Sequence, residues 1–155
     1  MRGSPTDDLR PYGRRYGPSV LIVAPEPFYE DRGTPIAVGQ LAAALATLEY
    51  RIELITYPIG DDVSLQGLRI ERTRNIPGLR HVPIGFSLRK VALDLLMLPT
   101  LWRKLRRDAY LIVHALEEMA LPVIWLCRRR GIPVIYDMLM APCTLDFVVC
   151  TGSNW

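Results

Sequence analysis

The chain alternates between short, continuous apolar runs and longer stretches in which apolar residues recur every three or four positions. "SVLIVA" (19–24) is the first such run and predicts a strand buried on both faces. Beyond it, Val38, Leu41, Leu45 and Leu48 repeat at helical spacing and predict one buried helix face. Thr34 is expected to cap that helix and Pro35 to take its first position. "RIELITY" (51–57) predicts a second strand, "PIGDDVSLQG" a turn-rich loop, and "LRIERT" a short alternating strand at or near an edge. After an irregular stretch at 75–86, Ser87 is expected to cap a long helix. Val91, Leu95, Leu98 and Trp102 share a face of it, and Pro99 should kink it. "YLIVHA" (110–115) predicts a fourth strand. A helix follows between about Glu117 and Arg130, stopped by Gly131, and then "PVIYDM" as a fifth strand.

The resulting order, β-α-β-β-α-β-α-β, predicts an α/β fold: a three-layer sandwich with a mostly parallel sheet of about five strands, covered by helices on both sides. Residues 1–18 read as a flexible arm and 19–138 as one domain. Residues 139–155 read as an atypical tail outside the fold. A sixth parallel strand there would need a longer crossover than the chain supplies, and "APCT" lacks hairpin-turn residues.

Composition narrows the class. The 155 residues are 50% apolar and 23% charged, as in a soluble globular domain, and no apolar run approaches the roughly 18 residues of a membrane span. The polar N-terminus has no apolar signal core, so a cytoplasmic protein is expected. A net charge of +3 does not by itself call for nucleic acid, and no aromatic platform is interleaved with the basic groups. Cys127, Cys143 and Cys150 have no ligand-like spacing, and with only His81 and His114 beside them no metal site is expected.

In an open parallel sheet, ligands bind beyond the carboxyl ends of the strands. The loop after the first strand has neither a dinucleotide nor a P-loop fingerprint. Gly33 and the helix start after it suit a phosphate or a sugar hydroxyl; the plainer alternative is a tight turn that needs glycine for geometry alone. His114 and Glu117, with Glu118, stand at the end of the fourth strand, and Asp137 at the end of the fifth. They either contact hydroxyls or protons, or serve as a satisfied core histidine and dipole-complementing acids. Trp102, Arg103, Lys104, Arg106 and Arg107 form a basic helix end, either plain dipole complement or a patch for anionic lipid headgroups.

Three stretches, "VLIVAPEPFYEDRGTPIAVGQLAAALATL", "YRIELITYPIGDDVSLQGLRIERT" and "VHALEEMALPVIWLCRRRGIPVIYDM", resemble in order and spacing the N-terminal half of family-4 glycosyltransferases. These are retaining enzymes with two facing Rossmann-like domains, the GT-B architecture. The resemblance covers about residues 19–138. It implies a Rossmann-like, acceptor-side domain that works with a donor-binding second domain lying outside these residues. It places Gly33, Thr34 and Pro35 near the donor phosphates and acceptor, and His114, Glu117 and Asp137 as candidate sugar or acceptor contacts. The catalytic residue itself stays unassigned. The implied substrates are a nucleotide-sugar and a glycan or lipid-linked acceptor, with no metal or other cofactor, at the inner face of the membrane. The chain departs from the family pattern where Leu116 replaces a second histidine, where Glu49 replaces a helix-ending glycine, at Leu111 where an acid is usual, and after Met138 (Leu139, Met140, Ala141). The histidine missing at 116 contacts the reacting sugar in relatives, and its role does not pass to His114. Two rival readings follow: a binding module with no transferase activity of its own, and another nucleotide-binding enzyme of flavodoxin-like topology.

Overall fold

A computed structural model describes residues 17–29, 33–61, 63–75, 88–137 and 148–150. The elements are β1 (Ser19–Val23), α1 (Gly33–Thr47), β2 (Arg51–Thr56), β3 (Leu68–Arg72), α2 (Leu88–Arg107), β4 (Ile112–Leu116), a single 3-10 turn (Glu117–Met119), α3 (Ala120–Arg128), β5 (Val134–Asp137) and β6 (Val148–Cys150). The sheet order is β3-β2-β1-β4-β5-β6. Five strands run parallel and β6 is antiparallel to β5. This is the Rossmann-like α/β fold. The sixth strand corrects the expectation that residues 139–155 stay outside the sheet. Ten residues separate Asp137 from Val148, ample for an antiparallel return though short for a parallel crossover. The expected cap Ser87, most of the arm at 1–18, His81 and Cys143 lie outside the described residues.

Alternation along each strand divides the core in two. Leu21, Val23, Ile55, Val113 and Ala115 face α2 and α3. Val20, Ile22, Ile52, Leu54 and Leu116 face α1. Burying each of these valine, leucine and isoleucine side chains contributes about 1.5–3 kcal/mol. α1 begins at Gly33, so Thr34 is its second residue rather than its cap, and Pro35 sits where a missing N–H costs nothing. Val38 and Ala42 form its buried line, flanked by Leu41 and Leu45. Leu48, expected on that face, lies beyond the helix and is 67% exposed.

α2 corrects the sequence reading more sharply. Its buried line is Leu93, Met97, Leu101 and Leu105. Val91, Leu95 and Trp102 point outward, and only Leu98 of the expected face packs against the core. The helix runs through Pro99. Proline there releases the carbonyl of exposed Leu95, which water can satisfy.

Lys104 is also buried. It pairs with Glu53 of β2 at 2.8 Å and Glu71 of β3 at 2.9 Å. The Tyr110 hydroxyl donates to the same Glu53 oxygen at 2.7 Å, and Arg103 bonds Glu71 at 2.6 Å. Burial alone would lower the Lys104 pKa, but its bonds to Glu53 and Glu71 outweigh that and hold it above lysine's ordinary value. Its place in an exposed patch with Trp102, Arg103, Arg106 and Arg107 is therefore corrected.

Candidate functional site

The strand order reverses between β1 and β4, so a crevice opens beyond their carboxyl ends. The loop after β1 enters it in a tightly held form. Ala24 N–H donates to Ile55, and the Glu26 carbonyl accepts from Tyr57 N–H and, at 2.5 Å, from the Thr56 hydroxyl. Tyr29 and Asp61 exchange two backbone bonds. The Arg72 guanidinium donates to the carbonyls of Phe28, Ile59 and Asp61. Gly60 makes this approach possible: it has φ +120°, and a Cβ there would lie 2.2 Å from the Phe28 oxygen. Sequence reading passed over Gly60 and Arg72 as parts of a turn-rich loop and an edge strand. The glycine in "PIGDD" was the available signal.

α1 starts from this anchored loop. Among the described residues, a Cβ on Gly33 would meet no atom within 4 Å, and its φ is not left-handed. Neither a left-handed φ nor a contact among the described residues demands glycine at 33.

On the same side of the sheet, His114 sits beside Ile22 on β1 and Ile135 on β5. Its Nε2 lies 3.4 Å from Oδ2 of Asp137, a long and weak bond. Burial pushes the His114 pKa down, and the Asp137 charge offsets only part of that. The ring is thus neutral at pH 7. The nitrogen facing the carboxylate carries the proton, leaving Nδ1 as an acceptor.

Glu117 opens the turn after β4 with φ 48°, a left-handed conformation that costs a residue with a side chain about 1–2 kcal/mol. Its carboxylate turns to the α2 side of the sheet and bonds Lys90 at 2.8 Å; Glu118 bonds the same ammonium at 2.9 Å. Burial would lower the Lys90 pKa, but the two glutamates more than compensate, so Lys90 is charged. One helical turn along α2, Asp94 accepts a 2.5 Å bond from the Tyr57 hydroxyl. Burial, helped by the Glu118 and Glu117 charges, raises Asp94 to about 6 against the pull of Tyr57 and Lys90. Lys90, Asp94 and Tyr57 were not singled out from the sequence. Partners 27 to 37 residues apart leave no local trace.

The crevice therefore gathers Gly33, Thr34, Pro35, His114 and Asp137 on the α1 side and Glu117 with Lys90 on the α2 side. Trp102, Arg103, Arg106 and Arg107 lie at the other end of α2 and take no part. A helix start beside carboxylates that accept from hydroxyls can hold a polar ligand that carries both phosphate and hydroxyls.

Two solved structures share the architecture. A sucrose-phosphate synthase from Thermosynechococcus elongatus superposes with a TM-score of 0.53 at 18% identity, over 79% of this chain and 32% of that one. The C-terminal domain of a hydrogenase from Pyrococcus furiosus does so with a TM-score of 0.50 at 15% identity, over 82% and 96%. Two proteins so different in kind show that the shared feature is the fold, and a fold alone does not select a function. The chain spans about a third of the synthase. No curated protein matches it. The family comparison is more specific: residues 32–154 of the 155 match the glycosyl transferase 4-like domain, in agreement with the resemblance read from the sequence. The chain belongs to the glycosyl transferase 4-like domain family.

Proposed function

We propose that this glycosyltransferase domain is the acceptor-side half of a retaining, GT-B hexosyltransferase. With a donor-binding domain it would move a sugar from a nucleotide-sugar to a hydroxyl of a glycan or lipid-linked acceptor, without metal or other cofactor. The site of action is proposed to be cytoplasmic, in polysaccharide or glycolipid synthesis. The observation that carries this reading is Gly33: it stands at the crevice with no described atom within 4 Å of where a side chain would begin, at a helix start whose N–H groups favour negative charge. That arrangement would stabilise the phosphate charge that grows as the donor bond breaks. Thr34 and Pro35 shape the same helix start. Glu117 and Asp137 orient hydroxyls, and neutral His114 accepts one at Nδ1.

The reading divides the crevice by charge. Phosphate belongs at the start of α1. The turn after β4 sets three carboxylates, Asp94, Glu117 and Glu118, around one ammonium, which suits hydroxyls better than a second anion. A titration of the chain with uridine and guanosine diphosphate sugars, followed by amide chemical shifts, tests it. Shifts at 33–37 and 114–118 are the expected result. Millimolar ligand that moves neither segment would refute the site.

A further inference from the structure

The two helices on the α2 side of the sheet are parallel neighbours, and each carries an outward line of apolar residues. On α2 the line holds Leu88, Val91, Leu95 (60% exposed) and Trp102; on α3 it holds Leu121 (79%) and Trp125 (55%). The two lines form one face. Arg130, just past α3, lies over the Trp102 ring of α2 at 5.6 Å and donates to the Leu105 carbonyl. Arg106 stacks on the same ring, and Arg129 lies 3.9 Å over Trp125. Both lines therefore run from bare apolar side chains near the crevice to arginine-capped tryptophans at the far end, joined there by Arg107 and Arg128. The exposed positions of α2 and α3 include no carboxylate.

We propose that this α2–α3 face is a docking surface for an anionic lipid bilayer. Charge selects the occupant. A second copy laid on the face would bring arginine against arginine with acids only at its margins, Glu118 before α3 and Asp108 after α2, whereas phospholipid headgroups supply negative charge at every point. The residue types agree, because tryptophan and arginine sit at headgroup depth while leucine and valine enter the acyl boundary. α2 is about 30 Å long, so it lies along such a surface rather than touching it at a tip. Lys104 is excluded, since Glu53 and Glu71 hold it inside. Leu88 is two residues from Lys90 and Leu121 three from Glu118, so a docked face sets the crevice beside the bilayer. The proposal stands on the face alone and holds whether or not the crevice transfers sugar.

The test is sedimentation of the 155-residue protein with phosphatidylglycerol-containing vesicles and with pure phosphatidylcholine vesicles. Preferential binding to the anionic vesicles is expected. It should weaken at least tenfold in a variant combining Arg106→Gln, Arg107→Gln, Arg128→Gln and Arg129→Gln, and similarly in Leu121→Ser/Trp125→Ser. All these positions are exposed, and unchanged circular dichroism and thermal unfolding confirm the fold of both variants. Equal binding to the two vesicle types, or anionic binding that neither variant weakens, overturns the proposal. So does the absence of vesicle binding in a protein that forms a dimer dispersed by Leu121→Ser/Trp125→Ser, which would assign the face to self-association.

Discussion

Two glutamates hold left-handed backbone positions, for different reasons. Glu49 has φ 60° at the end of α1, where its N–H donates to Ala46 and the Tyr50 N–H returns to Leu45. Nothing described about its side chain calls for glutamate, so Glu49→Gly should stabilise the domain by about 1 kcal/mol. A higher urea midpoint with unchanged slope is the check. Glu117 pairs its strained backbone with an ion pair at the crevice, the combination found where geometry serves binding. At Gly33 the expected effect is on ligand rather than fold. Gly33→Val should leave thermal unfolding nearly unchanged, because the added side chain meets none of the described residues, while it abolishes the nucleotide-sugar shifts at 33–37. Unfolding of the variant would return Gly33 to the tight-turn alternative. Asp94 makes a pH prediction. Its folded pKa, about 6, lies above its ordinary 3.8, so between those values the native state holds more proton than the unfolded one. Its contribution to stability is full below that window and is lost as pH rises through it. Asp94→Asn, which can still accept from Tyr57, should remove that slope. It should add on the order of 1 kcal/mol at pH 7, a figure reduced for the partial exposure of the group. Glu71 and Glu118 act in the opposite sense. Burial alone would raise both, but hydrogen bonds from Lys104 and Lys90 hold them low, so their contribution is lost as pH falls.

At the scale of elements, α2 decides most. It is apolar on more than one side, so its spacing supports two buried faces equally well. The fold chose the line that carries Lys104, because Glu53 in β2 and Glu71 in β3 need a cation there. Removing that cation leaves carboxylates in a largely dry site. Lys104→Met should therefore destabilise by about 3 kcal/mol despite its similar length. Denaturant titration tests this, and a loss below about 1 kcal/mol would mean that water reaches Glu53 and Glu71. The anchored β1–α1 loop is the other decisive element. Arg72 and Gly60 join its Phe28–Tyr29 segment to the β2–β3 loop, which braces the chain up to Tyr29, four residues before α1 begins.

For the whole molecule, the proposed function makes the crevice one wall of a cleft. A single wall can position an acceptor or a phosphate, but it cannot exclude water around a departing nucleotide. The 155-residue chain alone is thus expected to show no sugar transfer. Turnover of any nucleotide-sugar by the purified chain would contradict this and call for a complete site within these residues.

The order and kind of the elements were legible from local pattern. Buried parallel strands read as continuous apolar runs, helices repeat every three or four residues, and Gly131, φ 65°, stops α3 where a glycine was expected to. That order pointed to the carboxyl ends of the strands as the place for a ligand, while the sheet order itself set the crevice between β1 and β4. The tertiary structure decided what local pattern could not carry. It chose the buried face of α2, because both faces were apolar and only a partner 51 residues away distinguished them. It moved Lys104 from surface to core and set Lys90 on Glu117, since ion pairs form between side chains the chain brings together only by folding. It also added β6, because an antiparallel return can pair backbone to backbone without hairpin-turn residues at the positions where sequence reading looks for them.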